Sequence, residues 1–325
     1  MRTNHEDQKV VGHGPHQASV PPGVEYHRVL AGERRRIGRG ILAIALLVGG
    51  MFAFISALYY LGSWVDGLLS SGGPADDGRF LTPVAHTASL IATALLVPWS
   101  MVLQRWLYGV RGASLTSVAS RFRFGLFGKA LLAIGPALLI ALAIAEHMTP
   151  YRTTEWLQSD AIWLLVVSLV LVPLQAAGEE YGLRGLVFRV AASWGRGRTT
   201  SLILGIGVSS LIFSLIHTTG NPMWNAFYVI FSVTTAFITW RTGGLEIAIV
   251  LHAIVNTLTF VFWIALNADL AERLDRSAPV SPGLVILNSL VFVGAAVVVW
   301  LRTRRSGPIT TPSGPLGSSG HGRWG

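Results

Sequence analysis

Residues 161–180 read AIWLLVVSLVLVPLQAAGEE, an apolar run that carries no charge until it closes on the adjacent carboxylates Glu179 and Glu180. Residues 181–191, YGLRGLVFRVA, resume the apolar character at once, interrupted by Arg184 and Arg189. About twenty apolar residues in a helix cross the roughly 30 Å hydrocarbon layer of a bilayer. A soluble fold would have to cover this run on every side. In a membrane it is a spanning helix, and two carboxylates at its end are expensive enough to need a reason.

Outward from this run the same pattern repeats. Apolar stretches recur at about 40–64, 84–103, 126–145, 161–192, 200–220, 224–240, 244–266 and 283–301. The whole chain of 325 residues is 51% hydrophobic and 13% charged, against about 25% charged in soluble domains. The predicted fold class is therefore all-α, a polytopic transmembrane bundle of about eight spans in one domain at 31–305. Residues 1–30 and 306–325, rich in Gly, Pro, Ser and His, are expected to be disordered cytoplasmic tails. Residues 1–29 hold no apolar core of the signal-peptide type. The absence of cysteine excludes disulfides and thiolate chemistry. The net charge of +9 does not point to nucleic acid, because the arginines flank the apolar runs.

Those arginines alternate. Arg28, Arg34, Arg35, Arg36 and Arg39 precede the first span, while the next loop holds Asp66, Asp76 and Asp77 with only Arg79. Arg105, Arg111, Arg121, Arg123 and Lys129 then face a loop with Glu146, Glu155 and Asp160. Arg184, Arg189, Arg196 and Arg198 mark the next connection, and Arg302, Arg304 and Arg305 follow the last span. By the positive-inside rule both ends are expected in the cytoplasm of an integral cell-membrane protein.

The polar residues inside the spans carry the chemistry. Glu180 and Arg184 are four apart, the spacing of a helical ion pair. His217 is the one strongly polar residue of the fifth run, in FSLIH at 213–217, and His252 and Asn256 share a helical face in the seventh. Each has a bland reading: a helix ending at Gly178, a hydrogen-bonded packing histidine, a His–Asn pair that glues helices. Depth favours a common site. At 1.5 Å per residue, Glu180 and His217 lie roughly 22 and 33 Å from the turn near Gly195. His252 and Asn256 lie roughly 12 and 18 Å from the turn at Gly243 and Gly244, on the same side. Elsewhere His86 is expected to be a satisfied packing residue and Glu246 a solvated one. Trp64, Trp224, Trp240, Trp263 and Trp300 are expected to be interfacial anchors.

Glu-Glu-x-x-x-Arg at 179–184, Phe-x-x-x-His at 213–217 and His-x-x-x-Asn at 252–256, in that order on late spans, resemble the CPBP family of CAAX prenyl proteases and bacteriocin-processing membrane proteins. The resemblance covers about residues 160–266. It implies an intramembrane endopeptidase acting on a membrane-associated peptide or protein. In it Glu179 is the base for a water that His217 helps to hold, Glu180 and Arg184 fix the geometry, and His252 and Asn256 donate to the oxyanion. No cofactor is implied by the glutamate mechanism. A zinc or other divalent ion held by Glu179, His217 and His252 is the rival account, since two His and one Glu form a catalytic zinc set. The other functions open to such residues are a non-catalytic scaffold or bacteriocin-immunity protein of the same fold, and a proton-coupled transporter. Nothing in the sequence reports a prenyl group on the substrate or an oligomeric state.

Overall fold

The structure is a computed structural model and describes residues 20–69, 82–217, 219–275 and 280–313. All its regular elements are helical, apart from isolated β-bridges. Eight helices are long and apolar enough to cross a membrane: α1 Ile37–Val65, α2 Pro83–Tyr108, α3 Phe124–His147, α4 Gln158–Ala192, α5 Arg198–Ile216, α6 Pro222–Thr242, α7 Glu246–Ala265 and α8 Pro282–Thr303. The expected number of spans and their order are borne out.

The distribution of polarity is that of a membrane protein. Leu132, Phe124 and Tyr60 are 79, 77 and 73% exposed, whereas Glu180, Arg184, Arg189 and Glu246 are fully buried. Apolar surface of this extent calls for lipid rather than water, and charges inside the bundle are sheltered from lipid by their own partners.

The packing runs α1 against α2, α2 against α4, α4 against α7, α7 against α3, α3 against α8, α8 against α6, α6 against α5, and α5 back against the last turns of α4. α7 is the most enclosed span: 61% of its most apolar 18-residue stretch is buried, against 17% for α1. Two local features allow the close contacts around α4. Pro98 lacks an N–H and its ring crowds the carbonyl four residues back, and α2 breaks nearby at Leu95. Gly178 lets α4 approach α2, because a Cβ there would run into the backbone of Thr93.

Several sequence expectations need correction. Residues 20–30 are not a disordered tail. Tyr26 is fully buried and its hydroxyl donates to the Leu115 carbonyl at 2.5 Å. Residues 306–313 are not disordered either: Gly23 N–H donates to Thr311 O and Thr311 N–H to Val24 O, at 3.1 and 2.8 Å. Each segment supplies the backbone partners that the other needs, so they order together. The remaining tail residues, 1–19 and 314–325, lie outside the described residues.

Charges assigned to loops are also buried. Arg189 sits 3.9 Å over the Tyr26 ring and donates to Gln104, to Ser114 Oγ and to the Ser114 carbonyl. Glu146 accepts from Arg273 at 2.6 Å and from Trp263 Nε1 at 3.1 Å, so Trp263 is a core residue and not an interfacial anchor. Glu246 is not solvated. It takes Arg123 Nε and Nη2 in a fork at 2.8 and 2.7 Å, while Arg123 Nη1 donates to Thr242 O. Each of these acids and bases carries its own partner inside, which is what makes burial tolerable.

Candidate active site

α4 does not end at its glutamates. Its α-helix runs from Gln158 to Glu180, continues through Tyr181–Val187 as a π-helical stretch, and returns to α-geometry at Phe188–Ala192. Such widened turns are uncommon and concentrate at functional sites. Glu180 and Arg184 still face one another across it, with Nη1 3.3 Å from Oε1 and both side chains fully buried.

Arg184 is held on three further sides. Its Nε donates to Thr235 Oγ1 on α6 at 3.0 Å. Its guanidinium lies 4.0 Å over the ring of Phe213 on α5 and 5.1 Å from that of Phe231 on α6. Flat contact with aromatic faces suits a weakly hydrated guanidinium. Phe213, part of the expected motif, therefore supports the arginine as well as His217, whose ring is 4.3 Å from its own.

Glu180 Oε1 also meets His252 Nδ1 on α7 at 2.8 Å. A carboxylate can only accept, so this Nδ1 carries the proton. His217, just past the last residue of α5, has its Nδ1 2.9 Å from the Phe213 carbonyl, which likewise only accepts. Both imidazoles thus carry a proton on Nδ1, and each turns its Nε2 elsewhere. Both turn it to the same atom: Glu179 Oε2 lies 3.7 Å from His217 Nε2 and 3.8 Å from His252 Nε2. The three atoms converge at separations slightly beyond a direct hydrogen bond.

The other oxygen of Glu179 is taken by Gln175, one turn earlier on α4. Gln175 Nε2 donates to Glu179 Oε1 at 2.5 Å, and Gln175 Oε1 accepts from Asn256 Nδ2 at 3.4 Å. Asn256 therefore reaches Glu179 through Gln175 and does not touch it directly. Gln175 escaped sequence reading, although a lone amide four residues before Glu179 in an apolar run is a usable signal. Thr235 and Phe231 left no signal beyond ordinary helix composition.

Glu179, Glu180, Arg184, His217, His252 and Asn256 thus come from three spans into one network. Leu47, Val48, Met51, Leu96, Leu183 and Ile216 form apolar walls beside Glu179 and His217. His86, expected to be satisfied, packs on Phe260 at 4.8 Å, but its Nε2 has no hydrogen-bond partner among the described residues. Glu179, His217 and His252 are chemically a zinc set, yet among the described residues no group of three such side chains is placed to hold a metal ion.

Comparison with known proteins agrees with the region. Residues 159–258 match the family model described as type II CAAX prenyl endopeptidase Rce1-like. This stretch contains all six residues of the network. A curated relative, the uncharacterized protein YyaK of Bacillus subtilis (strain 168), is 30% identical over 148 residues, covering 44% of this chain and 47% of that protein. The chain matches about half the length of this relative. No solved structure matches. At the coarse level the family match supports a protease, embedded in a membrane by its eight apolar helices.

Proposed function

We propose, from the Rce1-like match across residues 159–258 and the convergence on Glu179, that the chain is an intramembrane endopeptidase that hydrolyses a peptide bond of a membrane-associated protein or peptide. The observation that carries this reading is the shared approach of two imidazole Nε2 atoms to Glu179 Oε2, at 3.7 and 3.8 Å. One water molecule between them can donate one proton to Glu179 and the other to a histidine, leaving an oxygen lone pair free to attack.

Water oxygen bonds to the scissile carbonyl carbon as its proton passes to Glu179 Oε2, acting as general base. The carbonyl oxygen becomes an oxyanion, to which the Asn256 amide can donate. The carbon–nitrogen bond then breaks, and the proton on Glu179 passes to the leaving amine. Glu180 holds His252 in its Nδ1-protonated form, the orienting job that a buried carboxylate does for a histidine elsewhere. Arg184 neutralises Glu180, and Gln175 fixes the rotamer of Glu179. No step needs a metal. The basic ends of the chain, by the same charge asymmetry, face the cytoplasm.

Replacing Glu179 with Gln tests the reading. Comparison of membrane and secreted proteomes from wild-type and Glu179→Gln cells should show peptide ends that disappear in the variant. Purified variant should fold as the wild type does. If no cleavage differs while a cellular phenotype of deletion is rescued by the variant, a scaffold function replaces the peptidase. Proton-coupled uptake by the protein in liposomes would instead favour a transporter.

A further inference from the structure

A second polar site lies away from the glutamates, at the end of the bundle where the two ordered terminal segments meet. Between them is an open cleft of about 630 Å³, lined by Arg28, Arg198, Arg304 and Arg305 along with Glu25, Ser306 and Gly307. The cleft is open to its surroundings and wide enough for a headgroup-sized anion. Four arginines from three separate parts of the chain line it.

The single carboxylate there is already engaged. Glu25 pairs with Arg198 and accepts from Trp240 Nε1 at 2.9 Å. Arg28, Arg304 and Arg305 make no side-chain ion pair or hydrogen bond among the described residues. The fold holds them there against their mutual repulsion. The Thr311–Val24 and Thr311–Pro21 hydrogen bonds fasten the segment carrying Arg28 beside the chain that follows Arg304 and Arg305. Like-charged, unpaired donors of fork geometry, carried on backbone segments that the fold holds together, are what a phosphate group needs.

Depth identifies the source. Arg304 and Arg305 directly follow α8, which ends at Thr303, and Arg198 is the first residue of α5. Residues that end spanning helices lie at the level of lipid headgroups. We propose that this cleft binds the phosphate of an anionic phospholipid headgroup, tying the joined terminal segments to the membrane surface. The proposal rests on the eight-span fold and is independent of the peptidase reading.

The test uses the full chain in lipid nanodiscs. Phosphatidylglycerol is titrated into phosphatidylcholine discs and retained lipid is counted by native mass spectrometry. Wild type should retain phosphatidylglycerol. The variant Arg28→Gln/Arg304→Gln/Arg305→Gln should bind it about a hundredfold more weakly, each basic group contributing severalfold. The Arg→Lys version of the triple variant should keep most of the binding. A parallel arm offers inorganic phosphate to phosphatidylcholine discs. Phosphate that binds wild type but not the Gln variant, with no preference for phosphatidylglycerol, would overturn the lipid source. Equal retention of phosphatidylglycerol by wild type and Gln variant, or none by wild type, would overturn the site. Should the triple variant fail to fold, Arg305→Gln alone is expected to weaken binding about fivefold.

Discussion

His252 Nδ1 and Glu180 Oε1 stand 2.8 Å apart, 72 residues distant in sequence, with the carboxylate wholly enclosed. The same oxygen faces Arg184 Nη1. Glu180 Oε1 is thereby engaged twice, while its neighbour Glu179 keeps Oε2 turned to two imidazole nitrogens. Adjacent glutamates, on neighbouring faces of one helix, have different surroundings and should fail differently when changed.

Glu180→Gln should cost both stability and activity. The amide leaves the Arg184 guanidinium buried without its counter-charge, a loss of about 3–5 kcal/mol for broken buried pairs. Glu179→Gln removes no ion pair of Arg184 and should leave the melting temperature nearly unchanged. It should lower cleavage by about 10²–10⁴-fold, the usual share of a general base. Thermal unfolding in detergent and a cleavage assay on the same preparations check the contrast. Equal destabilisation by the two changes would show that the glutamates share one structural role.

Gln175→Leu keeps the volume and removes the donor to Glu179 Oε1. Cleavage should fall about tenfold, since a single positioning hydrogen bond is worth about 1 kcal/mol or somewhat more when the acceptor is charged. The pH–rate profile should also move, which a loss of packing alone would not cause. Rate profiles of wild type and variant on one peptide substrate decide this.

Metal removal separates two chemistries that use the same side chains. With Glu179 as base, exhaustive chelation should leave the cleavage rate unchanged. Metal content and activity measured on the same chelated sample give the answer. Activity that vanishes with the metal and returns on addition of zinc would make Glu179, His217 and His252 ligands.

His27 predicts a pH dependence outside the spans. Burial pushes its imidazole down to about 4, with Glu25 opposing the shift. The folded protein thus holds His27 neutral where the unfolded chain, titrating near the ordinary 6.5, binds a proton. Stability from this group is complete above that value and falls as pH drops from about 6.5 toward 4, because protons then favour the unfolded state. His27→Phe, which can keep the stacking on Phe188 at 6.0 Å, should flatten the fall. Melting temperatures of both proteins across this range provide the measurement.

How much of this was legible in the chain depends on the range of the physics. A spanning helix is a local property: its length must match the hydrocarbon and its residues must be apolar, so all eight were readable from composition along the sequence. The motif residues were readable for the same reason, since a Glu, His or Arg stands out against an apolar run. Their partners were not. Whether Arg189, Glu146 and Glu246 meet water or another side chain depends on which faces of distant helices touch, and sequence periodicity inside a largely apolar bundle says little about rotation. Thr235 beside Arg184, Gln175 between Glu179 and Asn256, and the pairing of residues 20–30 with 306–313 exist only once the helices are packed. Apolar length and composition, read along the chain, place it in a bilayer and mark which residues are costly there. Tertiary structure decided how each is compensated, because a hydrogen bond or ion pair needs atoms brought within about 3 Å, and only the packed bundle does that.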